Sequence, residues 1–154
     1  MADPSRPTAS DLPAPEGTLY KYDPVTVHER IAYLAGQIPK QNGELAYSGS
    51  VGGEVTLEEA KHAARICAEQ ALAWAHASAG GLANIERVLR MDCFVAHADG
   101  FTQMSDIADA ASGRLIEYLG EAGRHSRSVI GVKSLPRTAP VLIEVTMALR
   151  QGVD

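Results

Sequence analysis

The sequence predicts a two-layer α+β sandwich, a mixed sheet carrying two helices on one face. Three observations predict it. Apolar residues recur at helical spacing in only two segments. They run or alternate at period two in segments before, between and after those two. The resulting order is strands, helix, strand, helix, strand, strand, which suits two helices laid on a single sheet.

Residues 1–17 carry Pro4, Pro7, Pro13 and Pro15 and no apolar core. They are expected to be a flexible lead-in rather than a secretory signal, and residues 18–150 to form one domain. A weak strand is expected within Leu19–Val27, where Pro24 confines it to an edge or a bulge. The short apolar run Arg30–Gln37, interrupted at Gly36, reads as a buried strand. Asn42-Gly43 is a turn signal and Ser48–Gly53 a glycine-rich loop.

Thr56-Leu57-Glu58-Glu59 is a capping box that starts the first helix. Leu57, Ala60, Ala64, Cys67, Ala71 and Trp74 then form a stripe of mostly small residues, able to lie close against a sheet, and Gly80-Gly81 stops it. In the next strand Arg87, Leu89, Met91, Cys93 and Val95 are expected on one face, with Val88, Arg90, Asp92, Phe94 and Ala96 on the other. A second helix, starting at Phe101 or Ser105 and ending at Leu119, should bury Ile107, Ala111, Leu115 and Tyr118.

Ser128–Val132 and Val141–Leu149 are the last strands, joined by a proline-bracketed loop. Val141, Ile143, Val145, Met147 and Leu149 face one way; Leu142, Glu144, Thr146 and Ala148 face the other. Two helices cover only one face of the sheet. The second face is too apolar for water and is expected to be covered by other subunits.

With 154 residues and 45% hydrophobic content, the chain suits one domain with a real core. The net charge of -5 disfavours broad binding to nucleic acid. No apolar run is long enough to span a bilayer. Cys67 and Cys93 have no CxxC partner and read as buried free thiols, which points to a reducing, cytoplasmic location. His28, His62, His76, His97 and His125 lack metal-ligand spacing, so no metal is expected. There is no nucleophile elbow, phosphate loop or dinucleotide fingerprint.

One segment stands out. In Gly123-Arg124-His125-Ser126-Arg127 two arginines and a histidine precede an apolar run. Arg127 is read as the last residue before the strand, so that its planar fork of donors projects into a cleft and suits a carboxylate.

Gly36-Gln37-Ile38-Pro39 resembles the SGQIP motif of the RidA/YjgF family. Arg127-Ser128, then Leu135-Pro136, then the strand VLIEVTMAL resemble its closing signature. The likeness runs from about Leu19 to Leu149. YSGSVGGEVTLEEA and GEAGRHSRSVIGVKSLPRTAPV look like a less characterised branch. The resemblance implies a chorismate-mutase-like fold and a homotrimer with sites at its three interfaces. It also implies hydrolysis of small enamines or imines to 2-oxo acids and ammonia, without a cofactor.

Position by position, Arg127 matches the arginine that grips the substrate carboxylate. Gly36 matches the glycine whose backbone lines the pocket, with Gln37 after it. Tyr22 matches an N-terminal pocket tyrosine, and Asp109 stands where the family has a helix asparagine. The family's water-positioning glutamate falls on Leu142, its serine before the glycine on Ala35, and its cysteine two beyond the arginine on Val129. Glu144, on the same face about 6–7 Å further along, and His125 are the candidate proton carriers. Alternative readings are a pathway deaminase for an aminomuconate-type intermediate, and a non-catalytic trimer that binds a small carboxylate. Ribonuclease activity, also known in the family, is disfavoured by the acidic charge and the lack of an aromatic-basic strip.

Overall fold

The computed structural model describes residues 3–154. Within residues 3–17, most of which are exposed, Leu12 and Glu16 touch the body. Leu12 packs on the core, and Glu16 accepts from the backbone N–H of Gly43 while its own N–H donates to Gln70 Oε1 at 3.4 Å.

Strands β1 (Val25–His28) and β2 (Ile31–Leu34) form a tight hairpin. The sequence hid this turn because Glu29-Arg30 is not a favoured turn pair, yet Glu29 adopts a left-handed φ of 56°. The first strand therefore begins only after Pro24. The second ends before Ala35, leaving Gln37 to make one further bridge to Ile143. The expected turn at Asn42-Gly43 joins the two-residue strands β3 (Lys40–Gln41) and β4 (Glu44–Leu45). Both turn residues have positive φ, as a mirror-image turn requires.

Helix α1 (Leu57–Ser78) starts at the capping box: Thr56 Oγ1 accepts from Glu59 N–H at 3.1 Å, and Glu59 Oε1 accepts from Thr56 N–H at 3.0 Å. Its Ala60, Ala64, Cys67 and Ala71 are fully buried, so the helix backbone seats close to the sheet. Helix α2 (Met104–Leu119) buries Ile107, Ala111, Leu115 and Tyr118, as its spacing predicts. It also buries Ser112, which the apolar pattern did not flag.

The main sheet has five strands in the order β1-β2-β7-β5-β6, with β5 spanning Ile85–Ala96, β6 Ser126–Val132 and β7 Val141–Leu149. Only β5 and β6 are parallel, and α2 supplies the crossover that parallel neighbours need. The alternation of β7 holds throughout, with Val141, Ile143, Val145, Met147 and Leu149 all buried.

The alternation expected for β5 is overturned in its first half: Val88 is fully buried and Leu89 is exposed. Register shifts between Ile85 and Arg87, and between Val88 and Arg90, insert Glu86 and Leu89 as extra residues. Each inserted residue flips the parity of the residues after it. Arg127 also lies inside β6, not before it, because the strand begins at Ser126.

Leu72, Leu115, Met91 and Met147 sit at the centre of the interface between helices and sheet. Truncating a core residue of this kind to alanine typically costs about 2–5 kcal/mol. Cys67 and Cys93 are in the same core as free thiols. Burial pushes both up, Cys93 to about 12, so neither is a ready nucleophile.

The far face of the sheet is open. Register pairs place Tyr33 with Thr146, and Phe94 with both Leu142 and Ile130, on that face. Tyr33 is 53% exposed and Ile130 43%.

Candidate functional site

The residues singled out in the sequence fall into two groups at opposite edges of the sheet. The first surrounds Arg127. Its register partner Met91 points into the core, so Arg127 projects on the helix side of β6 and meets α2. Its Nη1 donates to Asp109 Oδ1 at 2.7 Å and to Ser112 Oγ at 3.2 Å. Nη2 reaches the carbonyl of Ser105 at 3.5 Å. The Asp109 side chain is 70% exposed, so this ion pair contributes at most about 1 kcal/mol to stability. Its main effect is geometric: it pins one amine of the guanidinium. The Nε–Nη2 edge, whose two N–H groups point the same way, has no side-chain partner among the described residues.

His125 completes this group through Ser112. Its Nδ1 is 2.6 Å from the carbonyl of Gly123, which can only accept, so Nδ1 carries the proton. In the neutral ring, which burial favours, Nε2 is an acceptor and the Ser112 hydroxyl donates to it at 2.8 Å. That leaves a lone pair on Ser112 Oγ for Arg127. With the ring neutral, the donors and acceptors run in one direction from Arg127 through Ser112 and His125 to Gly123. Burial lowers the His125 pKa, the bond to Gly123 opposes this, and the nearby Arg127 charge lowers it further. These groups, with Ile116 and Arg124, line a shallow cleft of about 330 Å³.

The second group sits at the β1–β2 edge. Tyr22, Gly36 and Gln37 line a cavity of about 470 Å³ together with Tyr20, Trp74 and Leu142. Gln37 N donates to the Ile143 carbonyl at 2.8 Å and the Ile143 N–H donates back at 3.0 Å, fixing the backbone beside the cavity. A Cβ on Gly36 would lie 2.7 Å from Leu142 Cδ2, so glycine is what lets Leu142 fill this wall.

Arg137 also lines the cavity, from the expected proline-bracketed loop, but as a site residue it was not among those the sequence singled out. Arg137 and Thr138 both adopt left-handed backbone, with φ of 58° and 60°. That conformation costs roughly 1–2 kcal/mol per residue. Gly49 N–H donates to the Thr138 carbonyl at 2.8 Å, and Ser48 and Thr138 join their hydroxyls, which holds the turn in place. The bracketing prolines mark the loop, but no local signal places Arg137 at the cavity.

The two groups do not meet within one chain. Gln37 pairs with Ile143, Ile143 with Cys93, and Cys93 with Val129. Three strand spacings, roughly 14 Å, thus separate Gln37 from β6, and Arg127 is two residues further on.

Glu144 belongs to neither group. It pairs with Asp92 on the open face, opposite to the side on which Arg127 projects. Asp92 is held there by Arg90 at 3.0 Å, and Arg90 also donates to Ser128 Oγ at 2.6 Å. Among the described residues no three His, Cys, Asp or Glu side chains are grouped to hold a metal, and no helix is long and apolar enough to cross a membrane.

A mixed sheet backed by two helices, with an arginine cleft at one edge and a glycine-walled cavity at the other, defines a two-layer sandwich of the chorismate-mutase-like kind. Residues 5–149 match the family described as YjgF/chorismate mutase-like, candidate endoribonuclease, and the chain belongs to that family. Among curated proteins it is similar to Protein TCP17 of Trypanosoma cruzi, 34% identical over 118 residues, covering 76% of this chain and 74% of that one. A solved structure of the Agrobacterium tumefaciens protein Atu1372, of unknown function, is 36% identical. It superposes with a TM-score of 0.81 over 86% of this chain and 85% of that chain. A candidate endoribonuclease from Shewanella oneidensis, 28% identical, gives a TM-score of 0.86 over 90% and 92%.

Proposed function

We propose that this protein hydrolyses a small enamine or imine bearing a carboxylate, giving a 2-oxo acid and ammonia. The observation that carries the proposal is the state of Arg127. One guanidinium amine is pinned by Asp109 and Ser112, and the Nε–Nη2 edge, touched only by a long contact from Nη2 to the Ser105 carbonyl, has no side-chain partner among the described residues and suits a planar bidentate anion. Family membership supports the same reading, since Arg127 stands at the position that resembles the carboxylate-gripping arginine.

In this reading the enamine first tautomerises to an imine. Water adds to the imine carbon, a proton moves to nitrogen, the C–N bond breaks and ammonia leaves. A substrate that already hydrolyses unaided needs only positioning and proton transfer. His125, linked to Arg127 through Ser112, is proposed as one proton carrier. Glu144 is the other, and it faces away from Arg127 of its own chain, so it would serve a site formed with another copy.

The same logic applies to Tyr22, Gly36 and Gln37. Separated from their own Arg127 by most of the sheet, they are proposed to complete the site of a neighbouring protomer. A homotrimer with the apolar face of the sheet turned inward accounts for both the divided site and the exposed Tyr33 and Ile130.

The decisive experiment generates 2-aminoacrylate in situ and follows keto-acid formation. Wild type should accelerate it and Arg127→Ala should not; equal rates end the deaminase reading. A second reading, a non-catalytic carboxylate-binding trimer, is favoured by Leu142 standing where the family places its water-positioning glutamate. A keto acid seated on Arg127 in a soaked crystal, with no turnover of any imine tried, would select it.

A further inference from the structure

We infer that the preferred substrate carries a second anionic group on an apolar body, a dicarboxylate favoured over a monocarboxylate of the same length. The inference rests on the proposed use of the β1–β2 cavity as the wall of a shared site. Three observations support it.

The cavity, at about 470 Å³, lies in the range that holds ligands of many heavy atoms. Tyr20, Tyr22, Trp74 and Leu142 give it a hydrocarbon lining suited to a carbon chain or conjugated body. A small polar substrate would leave that surface wet.

The cavity is also locally positive in an acidic chain. Lys40 and Arg137 line it, against the single carboxylate of Glu16, which is already bonded to Gly43 N–H. Neither cation has an ion-pair partner among the described residues. One carboxylate of the ligand is assigned to Arg127 of the neighbouring protomer. The cavity's excess positive charge then calls for a second.

Arg137 is held at the cavity at the expense of a strained turn. Two successive non-glycine residues in left-handed backbone persist only where surrounding contacts enforce them, and such outliers cluster at ligand clamps. Here the clasp of Gly49 and Ser48 on Thr138 enforces the turn that presents Arg137.

The test compares two product analogues of equal length, 2-oxoadipate and 2-oxohexanoate, which differ only in a terminal carboxylate against a methyl group. Calorimetric titration of the full-length protein should show 2-oxoadipate binding at least tenfold more tightly. Arg137→Gln, and separately Lys40→Gln, should erase most of that preference while leaving 2-oxohexanoate binding within about twofold. Because Arg137 sits on a surface turn and Lys40 on a short hairpin, unchanged unfolding midpoints check that each variant is intact.

Equal affinities in wild type, tighter binding of 2-oxohexanoate, or a preference that survives both substitutions overturns the inference. No binding of either compound at millimolar concentration overturns it too. Arg127→Ala separates this from the parent reading: if it weakens both ligands but no dicarboxylate preference exists, only the second-anion inference falls. If it changes neither, the carboxylate-gripping site itself falls.

Discussion

The two edges of the sheet solve opposite problems. At the β6 edge a charged side chain must be aimed, and every polar neighbour is recruited to aim it: Asp109 and Ser112 from α2, with His125 behind them. The result is a shallow polar cleft with one guanidinium edge left open. At the β1–β2 edge the walls are apolar, and the precision lies in the backbone: a glycine that admits Leu142, a Gln37–Ile143 bridge, and a strained turn carrying Arg137. Side-chain networks give direction to charge, whereas backbone placement gives shape to a cavity. A ligand that used both would be oriented at one end and sized at the other.

The comparison is broken most severely at Arg127. If Arg127 grips a carboxylate as proposed, Arg127→Ala removes two charge-assisted hydrogen bonds to it. At about 1.5–3 kcal/mol each, less any compensation, kcat/KM for an imine generated in situ should drop roughly 10²- to 10³-fold. Thermal unfolding should report a loss of about 1–2 kcal/mol, because Asp109 is exposed but the half-buried Arg127 also bonds Ser112.

Gly36→Ala attacks the other edge. The new Cβ would press on Leu142, and overpacking of this kind costs about 1–3 kcal/mol. Urea unfolding should report that loss. Leu142→Ala in the same chain should restore part of it, giving a favourable coupling between the two positions. If the costs simply add, Leu142 is not the wall that glycine accommodates.

Ser112→Ala sharpens the comparison further. It leaves His125 Nε2 without its donor and removes one acceptor from Arg127, at a cost of about 1–2 kcal/mol in stability. It should also raise KM for any carboxylate substrate, while the cavity-lining variants Arg137→Gln and Lys40→Gln leave unfolding midpoints unchanged.

The smallest effect is on pH dependence. His125 has a lowered pKa in the folded chain, so the unfolded chain binds its proton more readily. Stability from this group is complete above the unfolded value of about 6.5. It declines as pH falls through that value and then through the lower folded one. Chemical unfolding at pH 8 and pH 5 should show this slope in wild type. His125→Gln should flatten it, and an identical slope would mean that burial beside Arg127 does not hold His125 neutral.

Much of this was written in local pattern. The capping box at Thr56, the apolar stripe of α2, the Asn42-Gly43 turn and the alternation of β7 each depend on neighbours a few residues away, so spacing alone reveals them. The likeness around Gly36-Gln37 and Arg127 marked the family and both halves of the candidate site. Tertiary structure decided the rest. The bulges at Glu86 and Leu89 reverse the expected faces of β5, because pairing with β7 outweighs local alternation. Ser112 is a polar residue in an apolar helix pattern, and only the approach of β6 to α2 gives it partners. The strand order alone puts Arg127 and Gln37 at opposite edges. Residue types and spacing fix what each segment can form. Which side chains share a cleft depends on contacts between residues far apart in the chain, and no local signal encodes those.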